Sequence, residues 1–149
     1  MEQLNEIQAL GMSSLSALQL FDILKLRQDV FFVEENIIYP DLDDIDKEAI
    51  HAFATINGEI ASYARVYRDE NEKHVKIGRV VTAAKYRGKG LASEIIRKCV
   101  EVGRNNFNTD EIWLDAQIHA ISFYEGIGFK VESERFMEAG IEHVRMVKA

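Results

Sequence analysis

Arg87, Gly88, Lys89 and Gly90 occupy four consecutive positions directly before a run of helix-forming residues that opens at Leu91. Two cations and two glycines in that order suit an anion. Glycine removes the side chains that would hold a ligand away from backbone N–H groups, and the first amides of a helix have no intrahelical partner. With the helix dipole and the full charges of Arg87 and Lys89 added, a pyrophosphate is a fitting guest. Two nucleotide-binding alternatives fit less well. A Walker A loop needs GxxxxGK[ST], whereas Lys89 precedes Gly90 with no Ser or Thr at the required place. A GxGxxG fingerprint would use Gly88 and Gly90 but meets Ser93 at the third glycine. The residues alone also leave open a glycine-softened turn between a strand and a helix.

The elements around this loop follow from periodicity. The run SALQLFDILKLRQDVF, Ser16 to Phe31, has no Gly or Pro, offers Ser16 as N-cap and carries Leu18, Phe21, Leu24 and Val30, so a largely buried first helix is expected. The stretch VEENIIYPDLDDIDKEA has no steady period and reads as a long loop with a helical turn. Alternation then takes over: HAFATI and IASYARVYR flank Asn57-Gly58, a pair suited to a type I′ hairpin turn. A third strand, HVKIGRVVT, contains Gly78, where a bulge or close backbone approach is expected. Leu91, Ile95 and Cys99, with Ala92, Ile96 and Val100, share one face of a second helix. EIWLDA reads as a short strand, AISFYEGIGF as a helix closed by Gly128, and KVESERF and HVRMVKA as two last strands around Ala139-Gly140. The order predicts an α/β fold, a mixed sheet with helices on both faces.

Composition narrows the function classes. A chain of 149 residues is the size of one domain, taken here as 1–149. Lys plus Arg number 18 against 25 Asp plus Glu, a net charge of -7, which argues against phosphate-backbone binding and so against nucleic acid. No apolar run is long enough for a membrane span and the first thirty residues lack the order of a secretory signal, so a cytoplasmic protein is expected. Cys99 is the one cysteine, which leaves no disulfide within the chain. His51, His74, His119 and His143 show no zinc spacing, and Asp41, Asp43, Asp44 and Asp46 lack the turn glycine and closing Glu of an EF-hand. No metal is expected, and the acidic loop reads as a solvated segment that attracts a cationic acceptor.

Two motifs carry a resemblance to a known family. Arg87-x-x-Gly90-x-Ala92 is similar to the RxxGx(G/A) acyl-CoA pyrophosphate loop of the GNAT superfamily of N-acetyltransferases. Downstream, Gln117-x-x-Ala120-x-x-x-Tyr124-x-x-x-Gly128-Phe129 resembles that superfamily's NxxAxxxYxxxGF segment, with Gln for Asn. Looser matches point to the ElaA-like branch: Leu26-Arg27-Gln28-Asp29-Val30-Phe31, then Glu34 and Glu35, the Asp-rich loop and His51. Glu138 to His143 resembles the branch's late EDGIxH element, with Ala139 where Asp would stand.

This resemblance implies a GNAT fold with a mostly antiparallel sheet and transfer of an acetyl group from acetyl-CoA to a primary amine, by direct attack in a ternary complex. It places the pantetheine arm on the main chain of Val80, Val81 and Thr82, and the pyrophosphate on Arg87, Gly88, Lys89, Gly90, Leu91 and Ala92. Gln117 is assigned to the coenzyme with them. Tyr124 stands where relatives protonate or hydrogen-bond the leaving thiolate; simple packing beside Phe123 and Phe129 is the other reading. An alkylamine of pKa ~10.4 is almost wholly protonated at pH 7, so a base is needed, with Glu35, His143, Asp115 and His119 as candidates. The partners expected are acetyl-CoA and an amine, with a homodimer as an open assembly state. The alternative function is a non-catalytic acyl-CoA-binding module on the same fold.

Overall fold

In the computed structural model, which describes residues 7–149, the alternating stretches join one eight-stranded sheet. Its strands are β1 (Gln8–Gly11), β2 (Ile50–Ile56), β3 (Glu59–Asp69), β4 (His74–Thr82), β5 (Ile112–Gln117), β6 (Lys130–Val131), β7 (Phe136–Glu138) and β8 (Ile141–Lys148). They lie in the order β1-β2-β3-β4-β5-β8-β6, with β7 also on β8; only the β4–β5 pairing is parallel. This is the mixed, mostly antiparallel sheet expected. The four residues of β1 escaped the sequence reading because so short a strand shows no measurable alternation. KVESERF is not one strand: the Ser133 hydroxyl accepts the Arg145 N–H at 2.8 Å, replacing a backbone acceptor and splitting the segment into β6 and β7.

Asn57 and Gly58, at φ 52° and 80°, close the β2–β3 hairpin between the paired Ile56 and Glu59, as a type I′ turn requires. Four α-helices cover the sheet: α1 (Ala17–Arg27), α2 (Ile45–Glu48), α3 (Leu91–Phe107) and α4 (Ile121–Ile127). The Ser16 hydroxyl accepts from Gln19 N at 3.0 Å while Gln19 Oε1 accepts from Ser16 N at 2.9 Å, a reciprocal cap that starts α1. Beyond Arg27 the chain continues as a π-helical segment, Gln28–Glu34.

The first helix is less buried than its composition suggested. Ile23 and Leu26, with Val30 just beyond, join Phe53, Tyr63 and Val81 in the core, but Leu18 is 76% and Phe21 62% exposed. That correction has a geometric cause: α1 lies on one side of the β2–β4 half of the sheet, so its outer face meets no other layer. On the opposite face Ile95, Ile96, Cys99 and Val100 of α3 meet Val66, Val75, Ile112 and Leu114. A Cβ at Gly103 would come within 2.9 Å of Ile112 Cδ1 and 3.1 Å of Val66 Cγ2, so the absence of a side chain there lets α3 settle onto the strands. Among the described residues no helix is long and apolar enough to cross a membrane.

Candidate functional site

The parallel pair β4 and β5 is joined at only two positions, Lys76 with Trp113 and Ile77 with Leu114. Past them the strands part. The cause lies on the other edge of β4, where Tyr63 faces Val81 but Arg65 faces Gly78, so β4 carries an extra residue and bulges. The bulge sits at Arg79 and Val80 rather than at Gly78 itself; Arg79 takes φ 52°, a left-handed conformation unusual for a residue with a side chain. Beyond Ile77, β4 therefore presents main-chain groups to an opening instead of to a neighbour.

What holds Arg79 there is the acidic loop. Its guanidinium donates to the Asp41 carbonyl at 2.8 Å through Nη2 and reaches the Asp41 carboxylate at 3.0 Å through Nε. Arg27, fully buried, binds Asp41 at 2.9 Å and Asp46 at 2.8 Å, and Arg65 binds Asp43 at 2.6 Å and Asp46 at 2.9 Å. Burial by itself would raise the Asp46 carboxyl, but hydrogen bonds and charge from Arg27 and Arg65 overcome it and hold the pKa at about 2. The loop is thus a clamp, not a solvated attractor of cations, which corrects the sequence expectation: three of its carboxylates are already neutralised by arginines, and only Asp44 stands out in solvent. His51 belongs to the same network. Its Nε2–H donates to the Asp46 carbonyl at 2.9 Å, Nδ1 accepts from the Tyr63 hydroxyl at 2.7 Å, and burial pushes its pKa down, so it is neutral and structural.

At the far end of β4 the chain turns through Gly88 and Gly90, both at φ 79°, into α3. Among the described residues an added Cβ at either glycine would meet nothing within 4 Å, and Gly90, the N-cap of α3, has no side chain to cap its first turn. The backbone at the head of that helix is consequently open to an anion. Arg87 flanks it, donating through Nε to the Thr82 carbonyl at 3.0 Å and through both terminal nitrogens to Glu34 at 2.7 and 3.1 Å. Leu91 turns inward, buried with Ile56, Ala61 and Tyr86, so only its amide faces the loop's outer side.

A cavity of about 690 Å³ runs from Arg87 along Val80, Val81 and Thr82 to Gln117 and Tyr124. A second, of about 1370 Å³, continues across the sheet and shares Glu35, Val80, Gln117, His119, Tyr124 and Ile141 with the first. Tyr124 is 7% exposed at their junction, in edge contact with Phe123 and Phe129; burial pushes its pKa to about 12. It is a hydrogen-bond donor at neutral pH. Glu35 lines both cavities with no ion pair among the described residues, and His143 lines the second. The His143 Nδ1–H donates to the Ile141 carbonyl at 2.8 Å, leaving Nε2 as proton acceptor, 3.6 Å from Glu138. His119 donates from Nε2 to Gln117 Oε1 at 2.8 Å. Asp115 is a weaker candidate for the base than its strand position suggested, because Lys76 at 3.1 Å and Arg145 at 3.2 Å already occupy its carboxylate. Cys99 is fully buried with its pKa raised to about 12 by that burial, and among the described residues no group of His, Cys, Asp and Glu is placed to hold a metal ion.

A parted parallel pair, a bulged strand and a glycine loop opening a helix give the chain the fold of the acyl-CoA N-acyltransferases. The Acetyltransferase (GNAT) domain family matches residues 31–149, and the chain belongs to that family. It is 34% identical to the protein ElaA of Escherichia coli over 146 residues, 96% of this chain and 95% of that one. The crystal structure of Escherichia coli ElaA superposes with a TM-score of 0.89 over 97% of this chain and 99% of that chain. An acyl-CoA N-acyltransferase from Pseudomonas aeruginosa, 28% identical, gives 0.89 over the same shares. A Bacillus anthracis protein solved in complex with acetyl coenzyme A shares the fold at 20% identity and a TM-score of 0.58, over 77% of this chain and 66% of that one.

Proposed function

We propose that the chain moves an acetyl group from acetyl-CoA to a primary amine by direct attack in a ternary complex, as one cytoplasmic domain spanning residues 1–149. The observation that carries this reading is the opening between β4 and β5, which leads from the glycine loop past Tyr124 into a second cavity. The names of the relatives add support, since a Pseudomonas aeruginosa neighbour is an acyl-CoA N-acyltransferase and the Bacillus anthracis one holds acetyl coenzyme A.

In this scheme the amides of Arg87 to Ala92, with Gly88, Lys89, Gly90 and Leu91 between them, receive the pyrophosphate. Arg87 exchanges Glu34 for a phosphate oxygen. Val80, Val81 and Thr82 pair with the pantetheine arm as a strand would, and Gln117 closes the opposite wall. The amine nitrogen attacks the thioester carbonyl carbon; the C–N bond forms, the C–S bond breaks, and the electron pair leaves on sulfur. Tyr124 stabilises that thiolate by a hydrogen bond. Full proton transfer from a phenol held near pKa 12 to a simple thiolate of pKa ~8.5 is uphill by roughly 5 kcal/mol, so donation without transfer is its role. The ammonium proton leaves before attack, with His143 Nε2 and Glu35 as its acceptors, and the second proton, shed from nitrogen as the C–N bond forms, passes to the departing sulfur to give the amide and the free CoA thiol.

Thiol release from acetyl-CoA over a panel of amines tests the reading. Turnover with at least one amine is expected, and Tyr124→Phe is expected to lower kcat by about 10- to 100-fold with little change in the KM for acetyl-CoA. Coenzyme binding without thiol release for any amine would instead make the chain a binding module, and an unchanged kcat in Tyr124→Phe would leave Tyr124 a packing residue.

A further inference from the structure

The walls of the larger cavity divide by chemistry. On one side Phe21, Phe32, Tyr39 and Leu42 are 62%, 53%, 59% and 59% exposed, and all four line the same hollow. Single exposed apolar side chains are ordinary; four around one concavity form a recognition surface. They come from α1, the π-helical segment and the loop after it.

On the other side the charges do not balance. Every cation lining the cavity faces carboxylates: Arg27, Arg65 and Arg79 those of the acidic loop, Lys76 those of Glu72 and Asp115, and Lys25 that of Asp29. Two lining carboxylates, Glu35 and Glu138, have no lysine or arginine within ion-pair distance among the described residues. Glu138 lies between Asp115 and His143; burial and the Asp115 carboxylate raise its pKa against the weaker opposing pull of His143 and Lys76, and a cation bound beside it would favour its charged form. The cavity therefore combines an apolar wall with an unmatched negative floor.

We propose that the acceptor is a monoamine whose ammonium is received by Glu138 and whose aryl or alkyl body lies against Phe21, Phe32, Tyr39 and Leu42. This deepens the transferase reading above and rests on it for the reaction. A polyamine or an aminosugar would set further charges or hydroxyls against the apolar wall, where they lose water without finding partners. A short polar amine would leave that wall unused.

Calorimetric titration of phenethylamine, ethanolamine, spermidine and 2-phenylethanol into the protein, with and without CoA, tests the assignment. Phenethylamine is expected to bind at least tenfold more tightly than ethanolamine, spermidine or the uncharged alcohol. Glu138→Gln should weaken phenethylamine about tenfold and leave 2-phenylethanol within twofold. Leu42→Ser, at a solvent-facing position, should narrow the preference for phenethylamine over ethanolamine. The proposal falls if ethanolamine or spermidine binds as well as phenethylamine, or if the amine binds no better than the alcohol. It falls too if sedimentation shows a dimer that Leu42→Ser dissociates, since a second copy would then cover the wall. Coenzyme binding and thiol release are read separately: their absence removes the transferase reading, whereas the ranking of ligands alone decides this one.

Discussion

Arg87 is held in the free protein by the anion it must give up. Its two terminal nitrogens grip Glu34, and both side chains are close to half exposed, so the pair is a surface ion pair of modest strength, about 0.2–1 kcal/mol. Glu34→Gln should therefore tighten CoA binding by about two- to fivefold, and Arg87→Glu should weaken it by tenfold or more while lowering the thermal midpoint by only about 2–4 °C; calorimetry and a melting curve check both. At this scale the positions inside the two family motifs were legible: Arg87 and Tyr124 line the smaller cavity, and Gly90 lies in the turn that opens α3. Arg65 and Arg79 were not singled out, because their roles depend on partners 22 and 36 positions away in the chain, and Glu138 entered only within a family pattern, with nothing local to bring Asp115, 23 positions away, beside it. Arg27 was noticed only as part of a family pattern, with nothing in the sequence to say that it would be buried.

Among the elements, the bulge in β4 and the acidic loop act as one device. The loop's carboxylates fix Arg79 in its left-handed conformation, and that conformation parts β4 from β5. Arg27 is the keystone of the loop, so Arg27→Leu leaves Asp41 and Asp46 without their nearest cation; a loss of about 3–5 kcal/mol in urea unfolding is expected. Gly103→Val tests a different contact. It should cost about 1–3 kcal/mol in urea unfolding, because the added side chain would meet Ile112 and Val66 and force α3 off the sheet. The hairpin at Asn57-Gly58, the amphipathic α3 and the Gly128 stop of α4 could be read directly, since turn chemistry and helical periodicity are local signals. The acidic loop was misread for a physical reason: a run of carboxylates looks solvated until the arginines that the fold brings to it are known.

For the whole molecule the same network predicts a direction of pH dependence. The Asp46 pKa is about 2 in the fold against ~3.9 in an unfolded chain, so its contribution, roughly 2–3 kcal/mol, is complete above pH ~4 and is lost as pH falls toward 2. His51, whose pKa burial lowers, acts in the same sense: its share is complete above ~6.5 and declines as pH falls through the lowered value. Urea midpoints measured from pH 8 to pH 3 should thus hold steady to about pH 6.5 and then fall, and His51→Gln should remove the earlier part of the fall. A midpoint that rises on acidification would contradict the network as described.

In the proposed reaction coenzyme A enters between β4 and β5 with its diphosphate on the loop that opens α3. A crystal structure of the chain with acetyl-CoA tests it most directly. The diphosphate is expected on the amides from Arg87 to Ala92, with Arg87 turned from Glu34 to a phosphate and the pantetheine arm along Val80 to Thr82, its thioester at Tyr124. Acetyl-CoA bound on any other surface, or density along the β4–β5 opening with Tyr124 remote from the thioester, would contradict it.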